Sequence, residues 1–84
     1  MKSLSWEKIS SRIKEIRELR GLNQTDFGNK LGGVPQAVIS KYERGTVKPR
    51  LEFLVEVANY EKVSLDWLIL GDKSGKEPGG RKRK

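Results

Sequence analysis

The chain has 84 residues, of which 35% are hydrophobic and 35% charged, so it has room for one small domain with a charged surface. It contains no cysteine and no histidine, which excludes disulfides and removes the usual general bases, covalent nucleophiles and transition-metal ligands; we therefore expect no enzyme activity, no metal site and no cofactor. More than half of the net charge of +7 falls in residues 71–84, so charge alone identifies no partner for the rest of the chain.

A first helix is predicted over residues 5–20, because apolar side chains recur there at intervals of three and four. These side chains are Trp6, Ile9, Ile13, Ile16 and Leu19. Ser5 is placed to cap the start of the helix, and Gly21 is placed to end it in a left-handed conformation.

A second helix is predicted over residues 24–31, where Asn23 and Asp26 resemble a capping box and Phe27 and Leu31 share one face. A pair of glycines follows this helix and ends it.

A third helix is predicted over residues 35–44, because proline suits the first turn of a helix and Gly45 follows the last turn. Ile39 and Tyr42 are expected to face the core.

Two further helices complete the predicted bundle. The fourth runs over residues 51–60 and has an inward face made of Leu51, Leu54, Val55 and Ala58. Ser64 caps a short fifth helix, and its apolar residues close the core: Leu65, Leu68 and Ile69. We therefore expect one all-α domain over residues 1–71.

The last segment of the chain has a different composition. Residues 72–84 contain none of the hydrophobic residue types, so they cannot offset the entropy of ordering and are predicted to form a disordered basic tail. No stretch of the chain reaches the ~20 apolar residues of a membrane span, and the N-terminus lacks the apolar core of a signal peptide. We expect a cytoplasmic protein that makes no membrane contact.

Two short helices joined by a glycine turn, over residues 24–44, have the arrangement of a helix-turn-helix. Three runs carry a more specific pattern: Leu22-Asn23-Gln24-Thr25, Ile39-Ser40-Lys41-Tyr42-Glu43-Arg44-Gly45 and Ser64-Leu65-Asp66-Trp67-Leu68. With them, residues 12–71 resemble the Xre/Cro family of phage-repressor-like regulators. The resemblance implies a five-helix DNA-binding domain that recognises a specific double-stranded sequence and regulates transcription, most often as a repressor.

The resemblance also implies which residues contact bases, with the third helix lying in the major groove. Its outward positions are Gln36, Ala37, Ser40 and Lys41. The glutamine can pair bidentately with adenine, the lysine can donate to guanine, and the alanine can contact a thymine methyl group. Gln24 matches the family's glutamine that binds a phosphate and steadies the first recognition residue.

Phosphate or minor-groove contacts are expected from polar and basic residues around the motif: Lys30, Arg44, Thr46, Lys48 and Arg50. Arg50 occupies the loop position from which some relatives reach a narrow minor groove. Arg17 and Glu43 match the family's buried ion pair between the first and third helices, and the role of this pair is structural.

Relatives of this family bind as two-fold dimers, because one module contacts about half of an operator. The expected dimer surface lies around the fifth helix and consists of Val63, Trp67 and Leu70, with dimers forming mainly on DNA. No site for a small-molecule ligand is evident in the sequence.

The sequence departs from the family pattern in two places. An extra Gly33 follows Gly32, which is expected to tilt the third helix or advance it by one position. Glu61 and Lys62 stand where a leucine and a helix-ending glycine are usual, and a carboxylate cannot fill a buried apolar position without a cost in free energy.

Two other functions remain open from the sequence. The same fold serves in antitoxins and bridging coactivators, where contacts with a protein partner matter as much as DNA. The basic run over residues 81–84 is also compatible with non-specific binding to nucleic acid or to an anionic membrane.

Overall fold

The computed structural model describes residues 5–71, which fold into five α-helices. They are α1 (Trp6–Leu19), α2 (Gln24–Lys30), α3 (Gln36–Arg44), α4 (Leu51–Glu61) and α5 (Leu65–Leu70). The predicted all-α five-helix bundle is confirmed, and the predicted ends of the first four helices agree with the observed ends to within one residue. The predicted disordered tail over residues 72–84 lies outside the described residues.

Side-chain caps explain why three of the helices begin where they do. Ser5, Asn23 and Ser64 each accept a hydrogen bond from the backbone amide three residues further on, at 3.2, 2.8 and 3.0 Å. Each cap satisfies an amide that has no partner inside its own helix, and stabilises the helix by about 1 kcal/mol. These three starts follow from local chemistry.

The core lies where α1 packs against α3 and α5, with α2 against α3 and α4 against α5. Its buried side chains come from every helix and from the segments beside them: Ile9, Ile13, Ile16, Phe27, Leu31, Ile39, Tyr42, Phe53, Leu54, Val57, Ala58, Val63 and Leu68. Two aromatic contacts extend it, since Phe27 meets Tyr60 edge-on at 6.4 Å between ring centroids and Tyr42 lies 4.7 Å from Phe53. None of the helices formed by residues 5–71 is long and apolar enough to cross a membrane.

The inward face of α4 differs from the predicted one. Leu51 and Val55 were expected in the core but are 63% and 36% exposed, and Leu19, the last residue of α1, is 53% exposed. The buried stripe of α4 instead consists of Phe53, Leu54, Val57, Ala58 and Glu61. The helix is therefore rotated so that its inward stripe ends on a carboxylate.

The buried carboxylate of Glu61 is paired with Arg20 from the end of α1. Arg20 donates from Nε to Oε1 at 2.8 Å and from Nη2 to Oε2 at 2.9 Å, which is a bidentate geometry. The hydrogen bond to Glu61 raises the pKa of the Arg20 guanidinium. This ion pair explains how an acidic residue occupies a position where leucine is usual. Lys62 ends α4 in the left-handed conformation that a glycine would adopt, with φ +61°.

Candidate nucleic-acid interface

The turn between α2 and α3 depends on a glycine inside α2. Gly28 is buried, and a Cβ at this position would overlap the carbonyl oxygen of Val34. The carbonyl of Gly28 accepts hydrogen bonds from the amides of Gly33 at 3.0 Å and Val34 at 2.9 Å. The chain therefore folds back tightly onto α2 before α3 begins.

The extra Gly33 is accommodated within this turn. Gly32 and Gly33 both have positive φ, +94° and +87°, which glycine adopts without a steric penalty. Pro35 precedes α3 as its N-cap, with no side-chain cap, where the sequence predicted the first residue of the helix. Gln36 is therefore the first residue of α3.

The outer face of α3 is open to solvent. Gln36, Ala37 and Lys41 are exposed and Ser40 is half-buried, while Ile39 and Tyr42 on the opposite face belong to the core. The four residues predicted to contact bases thus share the side of α3 that turns away from the core. That they contact bases remains a prediction.

A chain of hydrogen bonds connects this outer face to the interior. Gln36 Nε2 donates to Gln24 Oε1 at 2.6 Å, and Gln24 Nε2 donates to Glu43 Oε1 at 3.0 Å. The structure thus brings Gln24 to the first residue of α3, as the family resemblance implied. We call the series Arg17–Glu43–Gln24–Gln36 the polar relay.

The inner end of the polar relay is a bidentate ion pair. Arg17 donates from Nε to Glu43 Oε2 at 2.7 Å and from Nη2 to Oε1 at 3.0 Å. The side chains are 13% and 3% exposed, so the pair joins α1 to α3 with little access for water. The hydrogen bond to Glu43 raises the pKa of Arg17, whose Nη1 also donates to the Leu22 carbonyl at 2.9 Å.

The predicted phosphate contacts lie around the motif in different settings. Lys30 and Arg44 are exposed. The Thr46 hydroxyl donates to the Lys41 carbonyl at 3.2 Å, so its proton is engaged at the end of α3.

Two basic residues lie in the loop before α4. Lys48 Nζ lies 5.6 Å from the centroid of the Trp6 ring, a cation–π distance. The side chain of Arg50 is 76% exposed and its Nε is 3.9 Å from the Glu52 carboxylate, so this contact is weak and solvated. Both side chains are available to a ligand that approaches this loop.

The predicted dimer surface is only partly accessible. Val63 is 8% exposed and belongs to the core, so it offers little surface to a partner. Trp67 and Leu70 are half-buried. Arg12 crosses this end of the domain, donating from Nη1 to the Leu68 carbonyl at 3.0 Å, with its guanidinium carbon 6.0 Å from the Trp67 ring.

Sequence reasoning missed the Arg20–Glu61 pair and the contact of Arg12 with the end of α5. The signal for the first was present, because Glu61 falls on the buried stripe of α4 and requires a basic partner. No local pattern selects Arg20 over the basic residues of α1.

The model of the helix-turn-helix family matches residues 13–68. The chain belongs to this helix-turn-helix family. Among curated relatives, an uncharacterized HTH-type transcriptional regulator of Bacillus subtilis, YqaE, is 31% identical over 68 residues, which are 81% of this chain and 58% of the relative. The cryptic phage CTXphi transcriptional repressor RstR of Vibrio cholerae is 34% identical over 61 residues, which are 73% of this chain and 54% of that one. The helix-turn-helix chain thus spans somewhat more than half the length of each.

A solved structure has the same fold. The P22 c2 repressor protein, crystallised with synthetic operator 9T in the presence of Tl+, superposes with a TM-score of 0.68 at 30% sequence identity. The match covers 76% of this helix-turn-helix chain and 96% of that one. The predicted phage-repressor-like fold and the Xre/Cro-type resemblance are both confirmed.

Proposed function

We propose that this chain binds a specific double-stranded DNA sequence through α3 and regulates transcription as a repressor. The observation that carries the proposal is the exposed face of α3, whose first side chain, Gln36, is held by the polar relay. A recognition side chain held before binding loses little conformational freedom on contact with DNA. The similarity to a repressor solved with its operator supports the same function.

In this function α3 lies in the major groove with its N-terminal half against the base edges. Gln36 pairs with adenine, Lys41 donates to guanine acceptors, and Ala37 contacts a thymine methyl group. Ser40 lies between them and can donate to or accept from either purine.

Basic side chains around α3 bind the phosphates and set the position of the domain on the duplex. Lys30, Arg44, Lys48 and Arg50 serve this role, and Gln24 adds an amide beside Gln36. Arg50 reaches towards the minor groove from the loop before α4. Each neutralised phosphate steepens the dependence of log affinity on log salt by about 0.9.

A two-fold dimer explains how so small a domain reads a full operator, with half-sites about 34 Å apart. Trp67 and Leu70 contribute the partly exposed apolar surface for this contact, which forms mainly on DNA. Regulation then follows from binding of the dimer over or beside a promoter in the cytoplasm, and the protein catalyses no reaction.

The decisive experiment selects bound duplexes from a random pool and then measures Gln36→Ala on the selected sequence. Loss of the Gln36 contact should weaken binding by about 1–3 kcal/mol on that sequence and little on unrelated duplexes. Asn59→Ala, which removes an exposed amide from α4, is the matched control and should leave both affinities unchanged.

Equal binding of the parent chain to all duplexes would contradict the proposal. It would favour non-specific binding to nucleic acid through the basic run over residues 81–84. Absence of binding to any duplex would favour the alternative function, a protein-interaction module in which Gln36 has no role. Residues 72–84 can be deleted in the same experiment, and sequence preference should survive because it comes from α3.

A further inference from the structure

We propose that Glu43 is a positioning residue that makes Gln36 select adenine over guanine, by fixing the direction of the hydrogen bonds along the polar relay. The inference rests on the proposed function, since it concerns how the same site discriminates between two purines. Glu43 itself is 3% exposed at its side chain and lies behind the site.

The direction of the relay begins at Glu43. A carboxylate accepts hydrogen bonds and donates none. Both of its oxygens are occupied by Arg17, and Oε1 also receives Gln24 Nε2 at 3.0 Å. The amide of Gln24 must therefore turn its NH2 group towards the interior.

This orientation determines the next contact. With its NH2 group facing Glu43, Gln24 presents its Oε1 outward, and an amide oxygen only accepts. Gln36 must then meet it with its own NH2 group, as observed at 2.6 Å. If the side-chain amide of either glutamine turned over, two acceptors or two donors would face each other.

What Gln36 has left determines the base it fits. One of its two N–H groups is engaged by Gln24, so the exposed edge carries one N–H beside Oε1. Adenine offers an acceptor, N7, beside a donor, the N6 amino group, and matches this edge. Guanine offers two acceptors, N7 and O6, and would place O6 against Oε1.

If the relay ran in the opposite direction, Gln36 would accept from Gln24 and keep both N–H groups. That arrangement matches the two acceptors of guanine. The buried carboxylate at position 43 excludes it, so the interior of the domain contributes to the reading of a base.

The base pair read by Gln36 is first identified as the position at which Gln36→Ala abolishes the preference. The experiment then measures the ratio of affinities for duplexes that carry A·T or G·C at that position. The parent chain should prefer adenine roughly tenfold or more at that position. Glu43→Gln replaces the acceptor with a group that can also donate, so the ratio should fall to within about threefold. A ratio of two affinities does not depend on the folded fraction of the protein.

Gln24→Met provides a second variant that leaves the Arg17–Glu43 pair intact. It removes the middle of the relay, frees the Gln36 amide to turn over, and should lower the ratio in the same direction. Glu56→Gln is the matched control, because it makes the same change in charge on an exposed position of α4 and should leave the ratio unchanged.

The outcomes separate the two proposals. A fall of the ratio in both Gln24→Met and folded Glu43→Gln, with Glu56→Gln unchanged, supports the relay and the role of Glu43, whereas a parental ratio in folded Glu43→Gln overturns that role. If Glu43→Gln does not fold, the fall in Gln24→Met with Glu56→Gln unchanged supports the relay. A parental ratio in Gln24→Met overturns the relay while the proposed function stands, provided that Gln36→Ala still abolishes the preference. A parent chain without any preference overturns both.

Discussion

Two arginines about one turn apart, Arg17 in the last turn of α1 and Arg20 as its C-cap, make the same kind of ion pair, but their partners lie in different parts of the molecule. Arg17 binds Glu43 on α3, and Arg20 binds Glu61 on α4, each through two hydrogen bonds of 2.7–3.0 Å. The carboxylate of the first pair also accepts from Gln24, which is hydrogen-bonded to the exposed Gln36, whereas the carboxylate of the second pair lies on the buried stripe of α4. Equal contact geometry therefore does not decide whether an ion pair serves the fold alone; the neighbours of its carboxylate do.

The two pairs also differ in their access to water. Arg17 and Glu43 are 13% and 3% exposed, whereas Arg20 is 39% exposed above a Glu61 side chain with no exposure. Because water screens charges, an arginine that is partly solvated contributes less when its pair is formed. We therefore expect the loss of Arg17 to have the larger effect on stability.

The largest expected effect is that of Arg17→Ala. It removes the partner of a buried carboxylate and also the donor to the Leu22 carbonyl, so the free energy of unfolding should fall by about 3–5 kcal/mol. Urea unfolding followed by circular dichroism measures the change. Arg17→Lys retains the charge without the bidentate geometry and should lose less. A loss below about 1 kcal/mol for alanine would show that the pair is not structural.

Arg20→Ala should have the next largest effect and lower the free energy of unfolding by about 2–3 kcal/mol, because it removes the bidentate donor from a buried carboxylate. The loss is smaller than for Arg17→Ala because the Arg20 side chain is already partly hydrated. The preference of α3 for a DNA sequence should be unchanged in this variant, since Glu61 is not part of the polar relay. A change in that preference would contradict the separation of the two pairs.

The double variant Arg20→Ala with Glu61→Leu tests whether the second pair only fills space. An apolar side chain on the buried stripe of α4 needs no ionic partner, so stability should return to within about 1 kcal/mol of the parent. Failure of leucine to restore stability would mean that the pair orients the ends of α1 and α4 in a way that packing does not replace.

The smallest expected effect is that of pH near neutrality on the stability of the folded protein. The pKa values of Arg17 and Arg20 are raised in the folded protein, so their stabilisation is present below the ordinary pKa of arginine and is lost only as pH rises through the folded value. The chain has no histidine or cysteine, and no other side chain ordinarily titrates between about pH 6 and pH 9. Thermal unfolding should give a flat profile across this window, and a marked slope would reveal a group whose pKa the fold has displaced.

The positions of the helices could be predicted from the sequence because their signals are local. Ser5, Asn23 and Ser64 cap helices through bonds that span three residues, and Gly45 ends α3 with φ +76°. The pairing of Arg17 with Glu43 was available only through the family resemblance, since nothing in the spacing of the two residues indicates it.

The sequence pattern alone determined five helices, the ends of the first four to within one residue, and an outward polar face on α3, because caps and hydrophobic periodicity act over a few residues. Only the tertiary structure decided that α4 turns Glu61 rather than Leu51 inward. It also decided that the partner of Glu61 is Arg20, which lies 41 positions earlier in the chain. The reason is physical: a buried charge must find its partner in space, and residues distant in sequence become neighbours only when the helices have packed.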